Sequence, residues 1–258
     1  MNIALSTLIL FLFLIPGFLF RRFYYTGEFS KQYFKQNFTD LVFPTLIPSL
    51  LFHALGIFLI SHSPFTSNYV VDVGVISGLI SGVANYEQVN RALLNIYTYS
   101  GPILAYFLTI SLISGVTGFL VKVLVRNLKL DRRQKIFRFQ NEWHYIFSGE
   151  ILDFPRVPGK AEDLDFTYVD ALVKSDEGTI IYSGLLTEYV LSKEGGIDRL
   201  YLTDVKRRYL KNDEREKPGE NKYYYMPGQF FVLPFQHVIN LHITYYTVEI
   251  STSQENLS

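Results

Sequence analysis

The sequence predicts a chain of two parts, an α-helical membrane domain of residues 1–125 and a small all-β barrel of residues 166–250. Three apolar runs in the first half approach the roughly 20 residues that a bilayer-crossing helix needs. Most charged residues follow residue 125, although the formal net charge is zero. In the second half, short β-type segments alternate with turn signals. This uneven distribution of charge indicates a membrane part and a water-soluble part.

The three apolar runs are residues 3–20, 41–60 and 102–125. We predict a helix for each, because a helix satisfies its own backbone hydrogen bonds in lipid. No basic residue precedes the first run, and no small-residue cleavage site precedes Arg21 and Arg22. The first run is therefore expected to be a retained anchor rather than a cleaved signal peptide.

The distribution of Lys and Arg predicts the orientation in the membrane. Basic segments beside membrane helices face the cytoplasm. Only Arg91 lies between the second and third runs. The first run is followed by Arg21, Arg22, Lys31 and Lys35, and the end of the third run and the segment after it contain Lys122, Arg126, Lys129, Arg132, Arg133 and Lys135. We expect a multi-pass protein of a bacterial inner membrane, with its N-terminus outside and its C-terminal domain cytoplasmic.

Small residues recur between the second and third runs and within the third. In residues 70–83 glycine occurs at every fourth position, which on a helix forms a stripe for close packing. We predict a re-entrant or interfacial helix on the outer side; a flexible loop with chance glycines is the alternative. The candidate packing residues are Gly74, Gly78, Gly82, Gly115 and Gly118.

His53 lies in the middle of the second apolar run. An ionisable side chain at that depth is a candidate for proton relay or gating. A neutral imidazole that bonds a neighbouring helix explains the residue equally well, and the sequence leaves both interpretations open.

Residues 126–165 form a basic juxtamembrane linker followed by a first predicted strand. Six basic residues and one acidic residue lie in Lys122–Lys135. Basic residues at this position bind anionic lipid, so Arg132 and Arg133 are candidate anion or lipid contacts. Alternating aromatic residues predict a strand in residues 137–151.

The rest of the chain reads as an antiparallel sheet with a polar, disordered tail at residues 251–258. Gly184 interrupts the second strand and predicts a bend or bulge. The excursion at residues 207–222 is charged and expected to be mobile. The strands are predicted at residues 169–174, 179–191, 197–205, 229–233 and 238–248.

This strand order resembles the Sm-like or SH3-like small β-barrel over about residues 169–246. Gly184-Leu185 stands on the bent strand, Leu200-Tyr201-Leu202 follows, and the one-turn connection is 234–237. The RNA-binding motif of the Sm family is not evident in residues 188–191, so nucleic acid is not an expected partner. A barrel carried on several membrane helices is also similar to small mechanosensitive channels. However, about 40 residues separate the third run from the barrel here, and that run is rich in Ile and Leu.

The sequence offers few candidates for chemistry. It contains no cysteine, which excludes disulfides and thiolate sites, and no metal or cofactor motif is evident. If residues 137–151 form a strand, Glu142 and His144 share a face and form either an acid–base pair or solvated surface. Lys206, Arg207 and Arg208 are a candidate anion or lipid contact, with solvated surface as the alternative.

The sequence therefore predicts a non-enzymatic scaffold or interaction protein, similar to other membrane-anchored bacterial proteins. Its barrel presents edges to a partner while the helices hold that complex at the bilayer. The expected partners are lipid, further copies of the chain and an unidentified cytoplasmic protein. The alternative is an oligomeric pore or membrane-disrupting stress or phage-defence effector that the barrel gates.

Overall fold

A computed structural model describes residues 3–30, 38–62, 72–161, 164–176, 178–192, 195–212 and 222–248. The chain divides into two compact units, Met1–Leu128 and Lys129–Ser258. The first is helical, and the second contains an antiparallel sheet of six strands. Lys31, Lys35, most of the excursion and the tail at 251–258 lie outside the described residues.

Three long helices dominate the helical unit: α1 (Ile3–Tyr24), α2 (Phe38–His62) and α5 (Ser100–Asn127). All three are long and apolar enough to cross a membrane, which confirms the three predicted spans at that level. Large apolar side chains cover their outward faces; Leu51 is 66% and Leu112 69% exposed. A surface of this kind suits lipid and is unfavourable in water.

Glycine allows α1 to approach both of its long neighbours closely. A Cβ atom on Gly118 of α5 would lie 2.2 Å from the carbonyl oxygen of Phe20 in α1. One on Gly17 of α1 would lie 2.2 Å from the carbonyl oxygen of Thr45 in α2. These contacts involve backbone that cannot turn aside, so both interfaces require residues without a side chain.

Two shorter helices, α3 (Val73–Ser81) and α4 (Tyr86–Thr98), lie between the second and third long helices in the chain. The helix predicted at 70–83 is present as α3, although residues 70 and 71 lie outside the described ranges. Gly82 has φ of 79° and ends α3 as a left-handed cap, so the predicted stripe stops at Gly78. No element was predicted at α4 from the sequence.

The strand predicted at residues 137–151 is wrong, because this segment is helical. It contains α7 (Glu142–Phe147) and a 3₁₀ turn at Glu150–Asp153, and the short helix α6 (Leu130–Arg133) precedes it. The Asn141 side chain accepts a hydrogen bond from the backbone of His144 and so begins α7. The rings of Trp143 and Phe147 stack 5.4 Å apart, one helical turn from each other. Their aromatic spacing therefore fits a helix as well as a strand.

The sheet has the order β4-β3-β2-β1-β6, and β5 also pairs with β3. The described strands all pair antiparallel, and a 3₁₀ turn at Phe235–His237 joins β5 to β6. The strands are β1 (Phe166–Ser175), β2 (Gly178–Leu191), β3 (Ile197–Tyr209), β4 (Tyr224–Tyr225), β5 (Phe231–Pro234) and β6 (Val238–Tyr246).

The irregularity predicted at Gly184 is present. The register of β2 with β3 shifts between Ser183 and Leu185, and a Cβ atom on Gly184 would lie 2.9 Å from the carbonyl oxygen of Thr203. Across the shift, Asp204 adopts φ of 50°. The extra residue in β3 creates a bulge, and a bulge bends the sheet.

The core of the second unit lies on one side of this bent sheet. Alternate residues of β1, β3 and β5 fill it, and α7 contributes Phe147. Its buried members are Phe147, Val169, Ala171, Val173, Ile197, Leu200, Leu202, Val205 and Leu233. Among the described strands β5 and β6 do not pair with each other, so the sheet is open rather than a closed barrel.

We predict that Gly118→Ala destabilises the helical unit by roughly 1–3 kcal/mol, because the new methyl group would overlap backbone of α1. Gly101→Ala is the matched control in the same helix. No atom lies within 4 Å of a Cβ at Gly101, so its effect should stay within about 1 kcal/mol. Thermal unfolding of the detergent-solubilised chain measures both; equal melting temperatures would contradict the described packing.

Candidate functional site

The two last strands of the sheet offer open edges for interaction. Strand β5 pairs with β3 along one of its edges, and β6 pairs with β1 along one of its edges. Within the described part of the chain, the opposite edge of each strand has no strand partner. Apolar side chains point outward here: Phe230 is 61%, Val232 45% and Ile239 56% exposed. Unpaired backbone beside exposed apolar residues is a template for pairing with another chain.

The predicted basic patch lies on strand β3 rather than in a loop. Because side chains alternate along a strand, Lys206 and Arg208 share one face and Arg207 lies on the other. The Lys206 Nζ atom is 4.5 Å from the ring centroid of Tyr223, and the Arg208 Cζ atom is 5.6 Å from the same centroid. Arg207 stands over Tyr224 at 5.1 Å. The sheet thus divides the predicted patch into two.

The surroundings of Lys206 favour its charged form. Partial burial opposes the charge, but the hydroxyl groups of Tyr168 and Tyr223 outweigh this effect and raise the pKa of Lys206. A lysine with a raised pKa is a cation at neutral pH and a poor general base. Lys206 is therefore a candidate for anion binding rather than for proton transfer.

The other two candidate anion contacts lie in the linker and differ from each other. Arg132 forms ion pairs with Glu150 at 2.8 Å and with Asp153 at 2.6 Å. Lys129 adds a third pair, with Asp153 at 3.3 Å. Arg132 therefore serves to hold the linker together, whereas Arg133 is exposed.

The expectation that Glu142 and His144 share a strand face is wrong. These residues lie two apart on helix α7, so they point in different directions. His144 instead approaches Glu150, with 3.8 Å between its Nε2 atom and the carboxylate. The shared face depended on the strand predicted at residues 137–151, so it is absent together with that strand.

A polar stripe runs along α2 inside the helical unit. Thr45, Ser49 and His53 recur at every fourth position and are 2%, 0% and 6% exposed. The imidazole of His53 lies 2.8 Å from the hydroxyl of Tyr106 and 3.0 Å from the carbonyl oxygen of Phe13. The sequence singled out His53 but not the stripe, although the four-residue spacing of Thr45, Ser49 and His53 would have indicated it. Hydrogen bonds between helices at this depth hold them together.

The predicted packing glycines occupy two different settings. A Cβ on Gly115 would lie 3.2 Å from the ring of Phe23, so Gly115, like Gly118, faces α1. In α3, a Cβ on Gly78 would lie 3.6 Å from that of Ala84, and one on Gly74 would lie 3.3 Å from the carboxylate of Asp72.

One Ser, Asp and His cluster crosses three neighbouring strands of the sheet. Ser183 donates a hydrogen bond to Asp170, and the imidazole of His242 lies 3.4 Å from the other oxygen of that carboxylate. A hydrolase triad needs the imidazole beside the hydroxyl. Here the carboxylate separates them, and Ser183 is 2% exposed. Within the residues that the structure describes, no group of three or more His, Asp or Glu side chains is arranged to hold a metal ion.

No protein-family model, curated protein or solved structure matches this chain.

We predict that Asp153 makes the sheet unit less stable in acid. Burial alone would raise its pKa, but hydrogen bonds from Arg132, Ala161 and Lys129 outweigh burial and lower the pKa. Its contribution is then present above the unfolded pKa of about 3.9 and is lost as the pH falls through the lower folded pKa.

Urea unfolding, followed by the fluorescence of the only tryptophan, Trp143, measures this effect. Asp153→Asn should lower the free energy of unfolding at pH 7, and its difference from the unsubstituted chain should shrink below about pH 4. Asp198→Asn is the control, because its carboxylate forms a surface ion pair with Arg199 at 2.6 Å. A difference for Asp153→Asn that stays constant with pH would contradict the prediction.

Proposed function

We propose that the protein is a non-enzymatic scaffold that presents its sheet to a protein partner at a membrane. The observation that supports this most directly is the pair of open edges on β5 and β6, with Phe230, Val232 and Ile239 exposed beside them. The three apolar helices supply the anchor. Further copies of the chain are one partner, since identical edges are always available to each other, and a cytoplasmic protein is the other.

We further propose that the sheet has the Sm-like fold in an open form. Support comes from its strand order, from the bulge opposite Gly184 and from the one-turn connection Phe235–His237 between β5 and β6. Pairing of these edges with neighbouring copies would satisfy them without closing the sheet within one chain.

Our proposed orientation places the sheet unit in the cytoplasm of a bacterial cell, with the N-terminus outside the inner membrane. The ammonium group of Lys122, near the end of α5, donates to the carbonyl oxygen of Thr26 after α1 at 2.9 Å. Lys122 thus lies at the same end of the helical unit as Arg21 and Arg22, which are in the last turn of α1. This accumulation of basic residues at one end favours the cytoplasmic side for that end.

A pore or membrane-disrupting effector remains the second candidate, because His53 and Tyr106 are polar groups inside apolar helices. Electrical recordings from liposomes that contain the purified chain separate the two functions. The scaffold leaves these liposomes sealed. A current that His53→Phe abolishes would instead establish the pore.

We predict that Val232→Lys combined with Ile239→Lys weakens self-association, because a charge on an edge strand opposes edge pairing. Light scattering after gel filtration of the detergent-solubilised chain should show a lower mass for this variant. Ile136→Lys is the control, since Ile136 is 84% exposed but lies outside the sheet. A monomeric unsubstituted chain, or equal masses for all three proteins, would contradict edge-mediated self-association.

A further inference from the structure

Two cations and three tyrosines form a cluster on the face of the sheet that is turned away from its core. We call this set the cation–tyrosine face; it comprises Lys206, Arg208, Tyr168, Tyr223 and Tyr225. Lys206 lies between two rings, with its Nζ atom 4.5 Å from the centroid of Tyr223 and 5.8 Å from that of Tyr168. Tyr225 pairs with Lys206 across β3 and β4 and is 67% exposed.

The register of the strands places these residues on one face. Lys206 is opposite Ser183 of β2, and Ser183 is opposite Asp170 of β1. In β1 the odd-numbered residues Val169 and Ala171 are buried in the core. The even-numbered residues Tyr168 and Asp170 therefore point away from it, on the side of Lys206.

The chemistry of this face suits phosphate groups at an interface. Lysine and arginine donate charge-assisted hydrogen bonds to phosphate oxygens. Tyrosine prefers the headgroup layer, where its ring contacts hydrocarbon and its hydroxyl contacts water. On the same face, Asp170 is engaged by Ser183 and His242.

We propose that the cation–tyrosine face binds the phosphates of an anionic phospholipid surface. The bilayer is the favoured source of phosphate because the same chain carries three helices that suit a membrane, and tethering raises the effective concentration of a surface. This inference goes beyond the scaffold function and does not depend on the strand edges of β5 and β6.

The full chain lacks cysteine, so Asn240→Cys provides a single site for an environment-sensitive nitrobenzoxadiazole label. Asn240 is exposed and lies opposite Leu172 on the same face of the sheet, outside the cation–tyrosine cluster. The labelled chain is placed in nanodiscs of phosphatidylcholine alone or with 30 mol% phosphatidylglycerol. We expect a blue shift and stronger emission only with phosphatidylglycerol, and their loss in 1 M salt, which screens charges beyond about 3 Å.

Substitutions in the labelled chain test which residues bind. Lys206→Gln combined with Arg208→Gln should reduce the ratio of lipid-bound to free sheet by about thirtyfold, because each cation close to anionic lipid contributes about fivefold. Lys206→Arg with Arg208→Lys keeps both charges and should keep the signal, which separates lost binding from misfolding. Arg156→Gln with Lys160→Gln removes two exposed charges that lie outside the sheet and should also keep it.

Three outcomes would overturn the assignment. The first is equal emission in neutral and anionic nanodiscs. The second is an undiminished signal in the Lys206→Gln, Arg208→Gln variant. The third is a response to 10 mM inorganic phosphate or to a single-stranded oligonucleotide in neutral nanodiscs, without a response to phosphatidylglycerol; this would assign the face to free phosphate or to nucleic acid.

Discussion

The apolar outward faces of three long helices are the constraint on which the rest of this molecule depends. Side chains such as Leu51 and Leu112 are more than half exposed in the isolated chain, and hydrocarbon is the solvent in which that exposure has no cost. The same solvent cannot accept hydrogen bonds, so every polar group within these helices needs a partner inside the protein. Close packing of helices and the polar stripe of α2 both follow from this requirement.

Helix α1 meets the requirement by contacting both other long helices through glycine. Gly17 admits the backbone of α2, and the hydroxyl of Ser49 accepts a hydrogen bond from the Gly17 backbone at 2.9 Å. Gly118 of α5 allows the backbone of α1 to approach equally closely. Beyond α1, the ring of Phe29 is fully buried beneath the charged ends of Lys122 and Arg126. Small residues and buried polar groups thus give the unit a cohesion that hydrophobicity does not provide in lipid.

The sequence predicted the elements whose signal is a long or regular pattern. The three spans and the main strands emerged because long continuous apolar runs predict membrane helices, and because repeated β-type segments separated by turn signals predict a sheet. The strand predicted at residues 137–151 was wrong because aromatic residues four apart, such as Trp143 and Phe147, fit a helix as well as a strand. The partners of His53 were beyond reach, since Phe13 and Tyr106 come close only when three helices assemble. Lys206, Arg207 and Arg208 were identified, but the burial of alternate residues was needed to show that they occupy two faces.

The proposed orientation has α4 outside the cell and the sheet unit inside it, and cysteine accessibility tests that partition most directly. Tyr86→Cys and Gln229→Cys each introduce one exposed thiol into a chain that has none. With a membrane-impermeant maleimide on intact bacterial spheroplasts, Tyr86→Cys should react at once and Gln229→Cys only after permeabilisation. Labelling of Gln229→Cys in intact spheroplasts, with Tyr86→Cys protected, would contradict the account.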